Sequence, residues 1–133
     1  MILTCVVFSI LVATVIPKQQ AYTVTGVLQC NGNPATNQLI EMKFTDPLLK
    51  GKVTASTSAD NKGAFKINGS QKARAGQTAY LWVEHNCDSK NRNNCHVMTF
   101  ISIPKKYVGK QYNIGMYELS KHVYYNTCDD EDL

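Results

Sequence analysis

Thr78-Ala-Tyr-Leu-Trp-Val-Glu-His-Asn-Cys87 is the stretch whose reading decides the fold. Leu81, Val83, His85 and Cys87 share one side of it, and Tyr80, Trp82 and Glu84 the other. Alternation of that kind has the two-residue period of a β-strand, not the helical period of about 3.6. The same period recurs in both directions. Upstream, Tyr22 to Cys30 puts Tyr22, Val24, Leu28 and Cys30 on one face, and Gln38 to Phe44 does so with Ile40, Met42 and Phe44. Asn31-Gly32-Asn33-Pro34 and Asp60-Asn61-Lys62-Gly63 have turn chemistry, the second leading into a short strand from Ala64 to Ile67. Downstream, Cys95 to Ile103 is stopped by Pro104, and Tyr112 to Leu119 with Val123 to Tyr125 completes the set. Helical periodicity is missing throughout, and Pro104 to Val108 is room for one turn. About seven strands with regularly spaced turns predict an all-β antiparallel sandwich.

A chain of 133 residues suits one domain. Ile2 to Ile16 is uncharged and almost continuously apolar, and Pro17 and Lys18 end the run. That is shorter than the roughly 20 residues of a comfortable membrane span but fits the core of a signal peptide. Residues 1–21 are therefore expected to be a signal peptide, cut after Ala21 or, because Gln19 is a poor residue at the −3 position, a few residues earlier, with the folded domain over 22–120 and a tail over 121–133. The net charge is +4, yet Asp129-Asp130-Glu131-Asp132 places four of the ten acids in that tail. The domain itself is thus more basic than the total, which suits anionic partners such as lipid headgroups, glycans or acidic proteins. No nucleic-acid motif accompanies the charge, and an exported chain is in the wrong compartment for that partner.

Loss of the leader removes Cys5 and leaves Cys30, Cys87, Cys95 and Cys128. An even number in an exported chain points to two disulfides, with three connectivities open. His85-Asn86-Cys87 and Cys95-His96 could hold Zn²⁺ through two thiolates and two imidazoles. Thiols that pass through an oxidising lumen usually pair, so a Cys87–Cys95 bridge across the polar loop Asp88 to Asn94 is the expectation, worth roughly 2–3 kcal/mol. His85 is then a hydrogen-bonded, partly buried residue, and neither metal nor cofactor is expected.

Five segments in order resemble the nematode transthyretin-like family. They are Val24-Thr-Gly-Val-Leu-Gln-Cys30 with Asn33-Pro34; Asp60-Asn61-Lys62-Gly63-Ala64-Phe65 with Gly69; Tyr80-Leu-Trp-Val-Glu-His-Asn-Cys87; Ile103-Pro-Lys-Lys-Tyr-Val108; and Tyr112-Asn113-Ile114-Gly115. The resemblance implies a secreted domain with a transthyretin-like, Ig-like sandwich, and extracellular roles that include recognition of cell surfaces and, in parasites, contact with the host. It also implies that the first and late strands lie side by side, which would bring Cys30 towards Cys128 as the second disulfide. Asn113 stands where the family usually has Asp, and the tail with Cys128 is particular to this chain. The enzymatic relative of the fold, 5-hydroxyisourate hydrolase, uses an early-strand His and a C-terminal Tyr-Arg-Gly-Ser; this chain has neither. No Gly-x-Ser-x-Gly elbow is present, and no enzyme is expected.

The function expected is that of a secreted binding or adaptor protein, monomeric, whose partner is an extracellular protein or an anionic cell-surface or lipid component. The competing expectation is a carrier of a small apolar ligand in an oligomeric channel. Asn68-Gly69-Ser70 is an N-glycosylation sequon. Basic residues gather around Tyr107, at Lys105, Lys106 and Lys110, and in the loop that holds Lys90 and Arg92. Recognition in sandwiches normally falls on loops and edges, so Lys90, Arg92, Lys105 and Lys106 are the expected anion-contacting surface.

Overall fold

The computed structural model describes residues 19–45, 53–72, 77–88, 90 and 95–128. The signal-peptide core, Arg92 and the acidic run 129–132 lie outside the described residues. The strands are β1 (Gln19–Cys30), β2 (Asn33–Pro34), β3 (Leu39–Thr45), β4 (Val53–Ser58), β5 (Ala64–Lys72), β6 (Thr78–His85), β7 (Cys95–Ile103), β8 (Gln111–Glu118) and β9 (Tyr125–Cys128). Lys105–Tyr107 makes a single 3-10 turn, as Pro104 followed by a short polar segment suggests.

Two sheets form the sandwich. In the first, β1 is the hub, paired with β5, β8 and, at its far end, β2. The second runs β4-β3-β6-β7-β9. The all-β sandwich read from the alternating pattern is the observed fold, with one departure from an antiparallel arrangement: β8 runs parallel to β1. The core lies between the sheets. Val24, Leu28 and Ile67 from the first meet Ile40, Met42, Leu81 and Val83 from the second, all buried. A Leu or Ile side chain so buried contributes roughly 1.5–3 kcal/mol, which is why the alternating positions fix the register.

Local chemistry sets the connections. Asn31 and Gly32 both take positive φ, 51° and 84°, the two-residue hairpin for which Asn-Gly is suited, and Cys30 pairs with Asn33 across it. In the second turn Asp60 Oδ1 accepts the N–H groups of Lys62 and Ala64 at 2.8 and 2.9 Å. Gly63, at φ 81°, lets its carbonyl accept the Leu28 N–H at 2.8 Å and so ties this turn to β1. Against Gly26, β8 carries an extra residue, and Gly115 takes φ 70° there. Asn113 Oδ1 accepts the Gly115 N–H at 2.9 Å, so the amide supplies the acceptor that a carboxylate would supply.

Three boundaries differ from the sequence reading. β4 carries no fully buried side chain, only Ala55 packing on the core, so its Thr-Ala-Ser-Thr-Ser run shows no apolar alternation to read. β1 begins at Gln19 and pairs Gln19, Gln20 and Ala21 with Lys72, Gln71 and Ser70, so a cut after Ala21 would fall inside the strand. β9 pairs with β7 as far as Cys128, so Tyr125–Cys128 of the segment read as a tail beyond residue 120 belongs to the second sheet.

Candidate recognition surface

The outward positions of the second sheet carry a row of aromatic rings. Since Leu81 and Val83 face the core, Tyr80, Trp82 and Glu84 of β6 face out, beside Met98 and Phe100 of β7. Register places Trp82 between Glu41 and Phe100, and Tyr80 between Lys43 and Ser102. Tyr80 meets Trp82 edge-on at 6.4 Å and Phe100 at 6.1 Å, and Phe100 meets Tyr124 at 5.0 Å. Such T-shaped contacts are favourable by about 0.5–1.5 kcal/mol each beyond the area they bury. They close over Tyr80, which is 3% exposed although it points away from the core, and this burial raises its phenol pKa. At the margin Tyr124 is 54% exposed, held by its N–H to the Met98 carbonyl at 2.9 Å.

Charges border the row. Lys43 Nζ lies 4.7 Å from the centre of the Trp82 ring, within cation–π range. The Trp82 indole N–H donates to Glu84 Oε1 at 3.1 Å, and His96 Nε2 lies 3.7 Å from Glu84 Oε2. The face is therefore aromatic at its centre with both signs of charge around it, the composition of protein contact patches.

The basic residues singled out from sequence do not form one surface. Lys105 and Lys106 are exposed just after β7, with Lys106 Nζ 5.3 Å from the Tyr107 ring centre. Lys90 is exposed in the connection that precedes β7. The nine-residue strand between them sets the two groups roughly 25 Å apart, at opposite ends of the sandwich. Arg92 lies outside the described residues.

The expected disulfide pairings are also corrected. Cys30 is bonded to Cys87, with Cα atoms 5.5 Å apart. Neither Cys87–Cys95 nor Cys30–Cys128 can then exist. The bridge joins the end of β1 in one sheet to the segment after β6 in the other. Cys87 continues the inward face of Leu81, Val83 and His85 and so meets the opposite sheet, not its hairpin neighbour. Cys95 is disulfide-bonded as well, and the residue opposite it in register on β9 is Cys128.

His85 sits beside the bridge and is 5% exposed. The Cys87 N–H donates to its Nδ1 at 3.0 Å, so Nδ1 is an acceptor and the ring proton is on Nε2, 2.8 Å from Thr99 Oγ1. Burial, and secondarily the nearby His96, lower its pKa from 6.5 to about 4. His96 points to the outer face, so the imidazoles and thiols imagined as a zinc site lie on different sides of the sheet. Among the described residues no three His, Cys, Asp or Glu side chains gather as a metal site requires.

Both outer rows were present in the sequence as the complementary half of each alternation. Tyr80-x-Trp82-x-Glu84 and Met98-x-Phe100 are readable as an outward aromatic ladder once the inward face is assigned. Reading each strand only for its core positions passed over them.

A two-sheet, disulfide-crosslinked β-sandwich with an aromatic outer face defines the class of protein. The Transthyretin-like family model matches residues 25–104. The chain is 30% identical over 117 residues to Transthyretin-like protein 2 of Caenorhabditis elegans, covering 79% of this chain and 78% of that one. It belongs to the nematode transthyretin-like family. Among solved structures it is similar to part of a 9R-lipoxygenase from Cyanothece, with a TM-score of 0.46 and 17% identity over 77% of this chain and 16% of that one. A likeness at that level carries no inference.

Proposed function

We propose that the protein is a secreted extracellular binding or adaptor protein, without catalytic activity, that recognises a cell-surface, lipid or protein partner. The observation that carries this reading is the aromatic row Trp82–Tyr80–Phe100–Tyr124 on an outer sheet face, where the fold needs no aromatic residues. Trp and Tyr dominate the energetics of protein contacts because they bury large rigid surfaces at low entropic cost. Membership of the family supports an extracellular role, and so does a disulfide that crosslinks the core, since such bonds persist in oxidising compartments. Lys105 and Lys106 supply a basic patch at one end of the sandwich for an anionic component of the partner.

The purified chain, immobilised, is challenged with nematode cell-surface extract and with vesicles of anionic and neutral lipid. Binding that falls at least tenfold in Trp82→Ala and Tyr124→Ala, with folding intact, supports the aromatic face. Binding lost only in Lys105→Glu/Lys106→Glu moves the contact to the end loop, and retention in all variants refutes the reading. Solution mass separates the adaptor from the carrier alternative: a monomer fits the adaptor, a stable tetramer the channel.

A further inference from the structure

We propose that Asn68 carries an N-linked glycan, which screens the outer face of the first sheet. The inference rests on the chain being secreted. Asn68-Gly69-Ser70 has the acceptor sequence, and the structure places it in mid-β5, which runs on to Lys72 beyond the Ile67 at which the strand was expected to end. Within the triplet the two outward residues and the inward one answer to different demands. Gly69 faces the core, where any Cβ would run into Met42 and Ala55, so packing dictates it. Asn68 and Ser70 face solvent, where packing dictates nothing.

The surroundings leave room for a sugar. Asn68 is exposed, opposite Thr23 in register. The Thr23 hydroxyl donates to Asn68 Oδ1 at 2.7 Å, which engages the amide oxygen and not Nδ2, the atom that bears a glycan. A shallow depression of about 370 Å³ adjoins the side chain, lined by Ala21, Thr23, Thr54 and Ser70 among others. Around Asn68 the face is built from polar groups, Thr25, Lys66, Gln111 and Asn113, unlike the aromatic face of the second sheet.

The transfer balances with a lipid pyrophosphate-linked oligosaccharide of the secretory pathway as donor. Asn68 Nδ2 bonds to C1 of the reducing-end N-acetylhexosamine as the C1–O bond to the pyrophosphate breaks, and the proton lost from nitrogen leaves with the lipid pyrophosphate. Because the acceptor Asn68 and the Ser70 that completes its sequon lie in a paired strand, the step precedes folding of β5. Once attached, the glycan stands over β1 and β5 and denies that face to close protein contact.

The test expresses the full chain with its own leader in a eukaryotic secretory cell. Intact mass is measured before and after peptide N-glycosidase treatment. The wild-type chain is expected to lose one glycan; Asn68→Gln and Ser70→Ala are expected to show no loss, and Ser70→Thr to restore it. Chain secreted without any mass shift, or a shift that survives in Asn68→Gln, overturns the proposal while leaving secretion standing. Chain kept in the cytosol with no shift overturns both readings.

Discussion

Removal of the cross-sheet bridge tests the corrected disulfide framework most directly. The perturbation is Cys30→Ala/Cys87→Ala, which leaves the Cys95 bridge in place. The bridge spans a sequence separation of 57 residues. In the chain-entropy treatment a closure of that length costs the unfolded state about 4 kcal/mol at 25 °C, against about 2.5 kcal/mol for the short loop that a Cys87–Cys95 bond would close. Cys87 is buried against the core, so loss of the two sulfurs adds roughly 1 kcal/mol of unfilled space. Expected destabilisation is therefore about 4–5 kcal/mol, or a melting temperature lower by about 15–20 °C for a domain of this size. Urea unfolding of the oxidised wild-type and double-Ala chains measures it, and non-reducing peptide mapping identifies the bond. A cost below about 1 kcal/mol, or a mapped peptide that joins Cys87 to Cys95, would refute the assignment.

Three further outcomes are expected. His85 has its pKa lowered to about 4 from 6.5, so its unfolded form takes a proton first as pH falls. Stability is full above pH 6.5, declines by about 2–3 kcal/mol as pH falls to 4 and levels below that; urea midpoints measured from pH 7 to 4 should lose this slope in His85→Gln. Glu118 is pushed up by burial, but hydrogen bonds from Gly32, Ser120 and Asn31 outweigh that and hold its pKa at about 2, against 4.5. Its contribution is present above pH 4.5 and lost as pH falls through 2, so Glu118→Gln is expected to cost about 1–2 kcal/mol at pH 7, discounted for its solvent contact, and to match wild type near pH 2 by thermal melting. Gly63→Ala forces a Cβ onto the Leu28 carbonyl at positive φ and is expected to cost about 2–3 kcal/mol in urea midpoints, more than the same change at open Gly109.

Much of the fold was legible because alternation is a direct physical record of burial. Leu81, Val83, Ile40, Met42, Val24 and Leu28 each sit in the core where the period places them. The strand β4 was not legible, since an edge strand of Thr, Ala and Ser buries too little to leave a pattern. Local periodicity carries no information on which strands become neighbours: that β1 has a late strand beside it came from the family resemblance alone, and the parallel direction of β8 from neither. The same gap explains the disulfides. Cys87 and Cys95 are near one another in sequence, and nothing local says that the inward direction of Cys87 points it at β1. Of the surface, the exposure of Lys105 and Lys106 followed from their chemistry, while their separation from Lys90 needed the length and direction of β7.

The parallel pairing of β8 with β1 imposes an order on biosynthesis. Thr23 and Val24 emerge from the ribosome well before their neighbours Gln111 and Tyr112. The hub strand of the first sheet thus waits, one edge unpaired, until the seven strands' worth of chain up to β8 has been translated. Partners for its other edge come sooner, as β5 appears mid-chain, and Cys87 arrives before β8 to meet Cys30. Covalent closure between the two sheets is available while β8 is still being built, so oxidation can secure the hub strand before that neighbour docks. A delay in bond formation leaves an open strand edge where unwanted pairing between chains begins.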